Sequence, residues 1–322
     1  MVLSPASALG LHDPAAPIEL GRDSEGDLRL TLRDDPLCPA GAQCITYRVT
    51  CDGAKKAAAG AVALRLPEGD LRGLVVFHAG AEGKRYWSDV ADPAAAFIED
   101  LVDRGYGTAE LRWNAGWATA RSGEQAGLAE LSCRPATVLA WLDETVMADV
   151  VLPDRGKGCT FCYVGTSMGA AAGAYALTYH GLDHRMDLIV FAAGPPTADM
   201  AAGCMADEAD LMGFHAGGRR LIDRSYGLGP DGPCSQADPG WADRWAYDSL
   251  THPRFDEELE ARVHFIVGKD EAPELEHQAL LYRDHLRDAG TDARLHRPAG
   301  MQHILQESPE GLRALGRILA KG

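Results

Sequence analysis

The sequence predicts an α/β fold with a mostly parallel central sheet and helices on both of its faces. Short apolar runs alternate along the chain with longer stretches that carry apolar residues at helical spacing, which is typical of strand–helix–strand units. Residues 74–77, Leu-Val-Val-Phe, are wholly apolar. Such a run is expected for a strand that is covered on both faces.

The N-terminal part of the chain predicts an exposed segment followed by antiparallel strands. Residues 1–35 are rich in proline, glycine and aspartate, and only residues 28–32 read as a strand. Residues 45–50 and 60–66 predict an antiparallel pair, and Asp52-Gly53 supplies a turn signal near the first of them. The remaining predicted strands are residues 74–77, 107–113, 160–164, 188–192, 263–267 and 293–296.

Helices are predicted between these strands and at the C-terminal end. Their predicted ranges are residues 93–104, 135–147, 170–179, 272–289 and 309–319. In the second of them, Val138, Leu139 and Leu142 recur at the spacing of one helix face. Gly105 directly follows the first helix, at the position where a left-handed C-terminal cap is expected.

A long excursion separates the predicted strands at residues 188–192 and 263–267. Residues 197–260 contain no clear strand and are rich in glycine, proline, aspartate and tryptophan. Long segments of this kind between core strands are usually functional, so we expect a cap over one end of the sheet. The predicted organisation is an exposed segment at 1–35, a core formed by 36–196 and 261–322, and a cap or lid insertion at 197–260.

The charge and hydropathy of the chain exclude two classes of function. The 322 residues include 31 basic and 47 acidic side chains, which gives a net charge of −16. An acidic surface repels the phosphates of nucleic acids unless it carries a basic stripe, and the sequence contains none. The longest apolar runs fall far short of the ~20 residues that span a bilayer. We therefore expect no nucleic-acid partner and no transmembrane segment; the oligomeric state is left open.

Eight cysteines are the unusual feature of the composition. An even number, with three of them close together near the N-terminus, indicates disulfides and an oxidising compartment. No signal peptide is recognisable in residues 1–10, so the predicted secreted or periplasmic location rests on the cysteines alone. A cytosolic protein with buried thiols is the alternative.

The spacing of the cysteines suggests some pairings and disfavours others. Cys204 and Cys234 can close a loop inside the predicted cap, and Cys133 can reach a cysteine of the strand at 160–164. Cys159 and Cys162 lie on or entering that strand, where positions three apart face opposite sides of the sheet. We therefore expect Cys159 and Cys162 neither to hold a metal ion nor to form a relaxed disulfide, and we expect no metal and no cofactor.

The strongest functional signal is the segment Gly165-Thr166-Ser167-Met168-Gly169, which joins a predicted buried strand to a helix of small residues. Gly-x-Ser-x-Gly in this setting is typical of a nucleophile on a sharp strand-to-helix turn, where small flanking residues let strand and helix approach. The N-terminus of the helix favours negative charge that develops near the serine. Ser167 is therefore the candidate nucleophile.

At this point the chain resembles the α/β-hydrolase family, whose catalytic triad follows the order serine, acid, histidine. The resemblance covers the chain from about residue 74 to the C-terminus. It implies that the acid follows the strand at 263–267 and that the histidine follows the last strand; Asp270 and His303 occupy these places. Glu271 competes with Asp270, because the family often has two residues between the preceding glycine and the acid, and only one separates Gly268 from Asp270.

The same resemblance implies two backbone donors for an oxyanion. One is the N–H of Met168, directly after the nucleophile. The other comes from the loop after the strand at 74–77, where the sequence reads His78-Ala79-Gly80-Ala81 and has alanine at a position where the family usually has glycine. Gly80 is the first candidate for this donor and Ala81 the second.

Tryptophans follow several predicted strands at the end of the sheet where open α/β proteins bind their ligands. Trp113 and Trp117 follow the strand residues 107–111, and Trp241 lies in the predicted cap. These rings are candidates for a substrate pocket that accepts an apolar acyl or aryl group; the alternative is that they only pack the cap.

The resemblance implies a serine hydrolase that cleaves a small or polymeric carboxylic ester through an acyl-enzyme intermediate. An amidase or peptidase with the same triad is one alternative. A catalytically silent protein of this fold, used for ligand or partner binding, is another.

Overall fold

The computed structural model describes residues 26–31, 34–148, 158–207, 209–252 and 258–321. Most of the predicted segment at 1–35 lies outside the described residues. Nine strands form one sheet. Their bounds are β1 Gly26–Thr31, β2 Gln43–Cys51, β3 Ala54–Arg65, β4 Gly73–His78, β5 Tyr106–Trp113, β6 Phe161–Thr166, β7 Leu188–Ala192, β8 Arg262–Ile266 and β9 Ala293–His296.

The strand order is β1-β2-β3-β5-β4-β6-β7-β8-β9. The strands from β1 to β3 pair antiparallel with their neighbours, and β3 pairs antiparallel with β5. All pairs from β5 to β9 across the sheet are parallel. The prediction of a mostly parallel sheet with helices on both faces is confirmed, as is the antiparallel pair near the N-terminus.

Helices cover both faces of this sheet. Their bounds in the described residues are α1 Asp92–Asp103, α2 Gly127–Leu131, α3 Cys133–Val146, α4 Met168–His180, α5 Met200–Met205, α6 Ala216–Ser225, α7 Ala242–Asp248, α8 Pro273–Asp288 and α9 Pro309–Lys321. The five predicted helices correspond to α1, α3, α4, α8 and α9, with boundaries that differ by at most two residues. Gly105, after α1, has φ +88° as expected for a left-handed cap.

The central strands are buried on both faces, which explains their unbroken apolar runs. In β4, Leu74 and Val76 belong to one core, whereas Val75 and Phe77 belong to a second core on the opposite face. The first core also contains apolar residues of α3 and α4, and the second contains those of α1 and α9. Two hydrophobic layers therefore hold the sheet in place and fix the ends of its strands, where the candidate site lies.

The excursion predicted between β7 and β8 contains the short helices α5, α6 and α7. The buried carboxylate of Asp223 accepts hydrogen bonds from the backbone N–H groups of Cys234 and Ser235 at 2.8 and 3.0 Å. A disulfide joins Cys204 to Cys234. These contacts hold the segment together, and its buried apolar residues, such as Ile222 and Trp245, belong to the first core. The domain boundaries themselves stay a prediction.

All eight cysteines are paired. The pairs are Cys38–Cys44, Cys51–Cys133, Cys159–Cys162 and Cys204–Cys234. The expected pairing inside the cap is confirmed. Cys133 instead pairs with Cys51 at the end of β2, because α3 packs against β1 and β2.

Cys159 and Cys162 are joined by a disulfide with Cα atoms 5.5 Å apart, so the argument that the two side chains face opposite sides of the sheet is corrected. Strand β6 begins only at Phe161. Cys159 therefore lies before the strand, and the alternation of side chains along a strand does not apply to it.

Three histidines are buried in a neutral state, and the stability of the protein should depend on pH as a result. Burial lowers the pKa of His78 to about 3 and the pKa values of His180 and His264 to about 4. An unfolded histidine binds its proton near pH 6.5, so between about pH 6.5 and 4 the unfolded chain holds more protons than the folded one. The free energy of unfolding should therefore fall with decreasing pH by up to about 1.4 kcal/mol per pH unit for each histidine.

Urea unfolding between about pH 7.5 and 4.5 measures this slope. Because His180 Nε2 lies 3.0 Å from Ser132 Oγ, which donates its own proton to the Ala129 carbonyl, the imidazole donates in this pair. His180→Gln keeps an amide donor in place of the imidazole and should make the slope shallower. An unchanged slope in this variant would contradict the assignment of the pH dependence to His180.

Candidate active site

Ser167 lies between strand β6 and helix α4 in a conformation that few residues adopt. Its φ is +54° and its ψ −118°. A Cβ on Gly165 would lie 2.5 Å from the carbonyl of Gly169, and one on Gly169 would lie 2.3 Å from the carbonyl oxygen of His78. Only glycine fits at both positions, so strand, helix and the neighbouring strand β4 meet closely around the serine. This geometry is that of the sharp turn that the motif predicts.

His303 connects Ser167 to a carboxylate. Its Nε2 lies 3.0 Å from Ser167 Oγ, and its Nδ1 lies 3.2 Å from both carboxylate oxygens of Glu271. The Glu271 side chain is 1% exposed, whereas that of His303 is 36% exposed. The arrangement can hold a proton on Nδ1 against the carboxylate and leave Nε2 free to accept the serine proton.

The carboxylate at His303 belongs to Glu271 and not to Asp270, so the placement expected for Asp270 is corrected. Asp270 is exposed, although its backbone N–H donates to the Met301 carbonyl at 3.3 Å. Gly268 approaches the same carbonyl so closely that a Cβ there would lie 1.9 Å from the oxygen. This contact joins the two loops, turns Asp270 outward and directs the next residue toward the imidazole.

The two predicted oxyanion donors lie on either side of the serine. Met168 is the first residue of α4, and the N–H groups of the first helical turn have no intrahelical acceptor. A Cβ on Gly80 would lie 3.1 Å from Ser167 Cβ, so the backbone of this loop touches the serine. Among the described residues, neither N–H has a hydrogen-bond acceptor. Ala81, the second candidate, has φ +51° and is exposed.

A cavity of about 600 Å³ opens above Ser167 and His303. Apolar residues of the excursion and of the core loops form much of its wall: Val90, Phe214, Leu221, Ile222, Leu275 and Ile304. Helix α6 contributes Gly217, Gly218, Leu221, Ile222 and Arg224 to this lining. The cavity can accept an apolar group that reaches the serine.

Charged residues at the rim link the Gly80 loop to helix α6. Glu82 accepts a hydrogen bond from Thr119 at 3.1 Å and lies 3.5 Å from Arg224, and it also contacts Lys84. Burial raises the pKa of Glu82, but the hydrogen bond from Lys84 and the charge of Arg224 outweigh burial and leave that pKa below its usual value. The carboxylate therefore stays ionised and ties the loop to the excursion.

The tryptophans predicted to line the pocket lie elsewhere, so this expectation is wrong. Trp113 and Trp117 are fully buried, and Trp241 packs on Tyr226 with ring centroids 5.3 Å apart. None of the three lines the cavity. Large rings bury the most apolar area in the core, and Trp113 also finds a hydrogen-bond acceptor there, because its Nε1 donates to His78 Nε2 at 3.1 Å.

Neither a metal site nor a membrane-spanning helix is present in the described part of the chain. No three His, Cys, Asp or Glu side chains in these ranges are grouped so that they could hold a metal ion. No described helix is both long and apolar enough to cross a bilayer.

Solved structures share the fold of this chain and resemble it only distantly in sequence. The esterase Est1E from Butyrivibrio proteoclasticus matches 87% of this chain and 96% of its own, at 13% identity and a TM-score of 0.52. A hyperthermophilic esterase from the archaeon Pyrobaculum calidifontis matches 85% and 83%, at 15% identity and a TM-score of 0.53. Thermogutta terrifontis esterase 2 phosphonylated by sarin matches 81% and 89%, at 13% identity and a TM-score of 0.53.

The chain has the α/β-hydrolase fold. The fold predicted from the resemblance is thereby confirmed. At the level of sequence, no model of a protein family and no curated protein matches the chain.

Within this α/β-hydrolase fold, the sequence interpretation missed the cavity wall formed by helix α6. A signal was present: Phe214, Gly218, Leu221 and Ile222 have the spacing of one helix face, although the helix itself begins only at Ala216. The glycine-rich and proline-rich surroundings of this segment hid the pattern.

Proposed function

We propose that this protein is a serine hydrolase that cleaves carboxylic esters with an apolar acyl or aryl group. The observation that carries the proposal is the position of His303 between Ser167 Oγ and the buried carboxylate of Glu271. The apolar cavity above Ser167 supports the substrate class. Three structures of the same fold bear the name esterase, which favours esters over amides by analogy.

In the proposed reaction, Ser167 Oγ attacks the carbonyl carbon of the ester and His303 Nε2 takes the serine proton. Glu271 holds the imidazole and stabilises its positive charge. The N–H groups of Met168 and Gly80 stabilise the negative oxygen of the tetrahedral intermediate. His303 returns the proton to the leaving alcohol, and a water molecule activated by His303 then releases the acid and restores the serine.

Labelling with an alkyl fluorophosphonate tests the nucleophile directly, and the sarin adduct of a structural neighbour makes a phosphonate a suitable probe. The folded protein should gain the mass of one phosphonyl group, and peptide mapping should locate it on Ser167. Para-nitrophenyl esters and the matched anilides separate esterase from amidase activity. A folded protein that is neither labelled nor active on either panel would contradict the proposal.

The cavity wall at α6 should set the accepted acyl length. A Cβ on Gly218 would meet Phe214 at 3.4 Å and His215 at 4.0 Å, both ordinary contact distances, so a larger side chain fits on the helix at the cavity wall. Gly218→Leu should lower kcat/KM for para-nitrophenyl hexanoate relative to the acetate by about tenfold, because one or two methylene groups lose their space.

The matched control is Gly316→Leu on helix α9, where a Cβ would meet only Phe97 at 3.5 Å and the residue does not line the cavity. This control should keep the ratio of the parent protein. Equal ratios in the two variants would show that α6 does not bound the acyl site.

We propose the cellular compartment of the protein from its disulfides. All eight cysteines are paired. Disulfides persist in oxidising surroundings and are rare in the cytosol, so we place the protein in a secreted or periplasmic setting. Titration of thiols under denaturing conditions without reductant should find none; eight free thiols would contradict this proposal.

A further inference from the structure

Three fully buried side chains form a hydrogen-bonded row beneath the Gly80 loop. Trp113 Nε1 donates to His78 Nε2 at 3.1 Å, His78 Nδ1 lies 3.1 Å from the Tyr163 hydroxyl, and that hydroxyl donates to the Gly169 carbonyl at 2.6 Å. His78, Trp113 and Tyr163 are each 0% exposed. The proposed hydrolysis does not use any of these groups.

The direction of every bond in this row is determined by the donors. An indole N–H can only donate, so His78 Nε2 must carry no proton. The single proton of Tyr163 is given to Gly169, so its oxygen accepts from His78 Nδ1–H. One neutral tautomer of His78 therefore satisfies the whole row, and burial, which lowers the pKa of His78 to about 3, keeps the ring in that neutral form.

The row connects the two elements that carry the proposed oxyanion donors. His78 ends strand β4 and precedes the Gly80 loop, while Gly169 lies in the first turn of α4, next to Met168. The loop itself rests on the row: a Cβ on Gly83 would lie 2.6 Å from His78 Nε2 and 3.0 Å from Trp113 Cδ1. The backbone N–H of Trp113 donates to the Gly83 carbonyl at 2.7 Å, separately from the indole N–H.

We propose that His78 and Tyr163 are positioning residues that hold the Gly80 loop and the first turn of α4 at the separation that the oxyanion requires. They act through the backbone and exchange no proton with the substrate. This inference rests on the proposed serine-hydrolase function. We expect the row to stabilise the transition state and to contribute little to binding of the ester. The N–H groups of Met168 and Gly80 interact fully with the carbonyl oxygen of the ester only when that oxygen becomes negative.

Tyr163→Phe removes the bond to Gly169 and keeps the ring. We expect kcat for a para-nitrophenyl ester to fall by about ten- to a hundredfold with KM nearly unchanged, since small displacements of catalytic groups have effects of this size. The inhibition constant of a trifluoromethyl ketone, whose adduct carries a negative oxygen, should rise by a similar factor.

The matched control is Tyr47→Phe. Tyr47 is 1% exposed, donates its hydroxyl to the Arg112 carbonyl at 3.2 Å and contacts the Trp113 ring, but it touches neither the Gly80 loop nor α4. This variant should lose stability and keep kcat. His78→Asn, which retains an amide donor toward Tyr163, should recover most of the activity that His78→Leu loses.

The outcomes separate the two proposals. If the parent protein hydrolyses esters and Tyr163→Phe keeps kcat within about twofold, or if Tyr47→Phe loses as much, the positioning role is overturned and the hydrolase function stands. If Tyr163→Phe does not fold, equal activity of His78→Asn and His78→Leu overturns it. If the folded parent protein cleaves no ester and binds no phosphonate, the hydrolase function fails, and the inference with it.

Discussion

Replacing Ser167 with alanine is expected to lower kcat for a para-nitrophenyl ester by at least about 10⁴-fold while leaving the fold intact. The change removes Ser167 Oγ, which lies 3.0 Å from His303 Nε2. Without it, no acyl-enzyme can form, and the residual rate comes from the oxyanion donors and from binding. Steady-state kinetics and the loss of phosphonate labelling measure the effect.

Ser88→Ala is the matched control for this substitution. Ser88 is buried, whereas Ser167 is half-buried, and the hydroxyl of Ser88 has no hydrogen-bond partner among the described residues. Its removal should change neither kcat nor labelling. If Ser167→Ala keeps the full activity of the parent protein, Ser167 is not the nucleophile of the observed hydrolysis. That result would contradict the proposed serine hydrolase.

The second prediction with a large effect distinguishes the adjacent carboxylates of Asp270 and Glu271. Glu271→Gln is expected to lower kcat by about 10³- to 10⁴-fold, whereas Asp270→Asn should stay within about threefold of the parent protein. A carboxamide that donates to His303 Nδ1 forces the imidazole proton onto Nε2, where it faces Ser167 and blocks proton transfer. It also removes the charge that stabilises the imidazolium.

Both substitutions preserve the shape of the side chain, so the two variants test the charge and the position of each carboxylate. Glu271 also accepts the N–H of Ala272 through Oε1 at 2.9 Å, and glutamine can keep this bond. Unfolding by urea should therefore show folded variants in both cases. A large loss in Asp270→Asn with a small one in Glu271→Gln would reverse the assignment and restore the expectation drawn from the sequence.

The choice between these two residues illustrates how far sequence reasoning reached at the site. The buried strand, the Gly-x-Ser-x-Gly turn and the small-residue helix are all local, so Ser167 could be predicted from a window of the chain. His303 was predicted because it follows the last strand, where the resemblance to the α/β-hydrolase family places the histidine of the triad. Glu271 could not be chosen in this way, because neighbouring residues of a turn point in different directions, and here the contact between Gly268 and Met301 decides which one faces the histidine.

The tryptophans show the same limit for the pocket. Their positions after predicted strands placed them at the correct end of the sheet, but a ring at that end can face the core or the cavity. Trp113 faces the core, where His78 accepts its N–H at 3.1 Å. Helix α6, from a segment with weak periodicity, forms the cavity wall instead. Its place depends on the contacts within the excursion, which no local pattern records.

By itself the sequence determined the class of fold, the order of the sheet strands and of the five predicted helices, and the turn that carries Ser167, because hydrophobic periodicity and glycine requirements are local properties. The tertiary structure alone decided the pairing of the other six cysteines, the carboxylate at His303, the lining of the cavity and the row from Trp113 to Gly169. Each of these depends on distances between segments far apart in the chain, and those distances arise only when the two cores pack against the sheet.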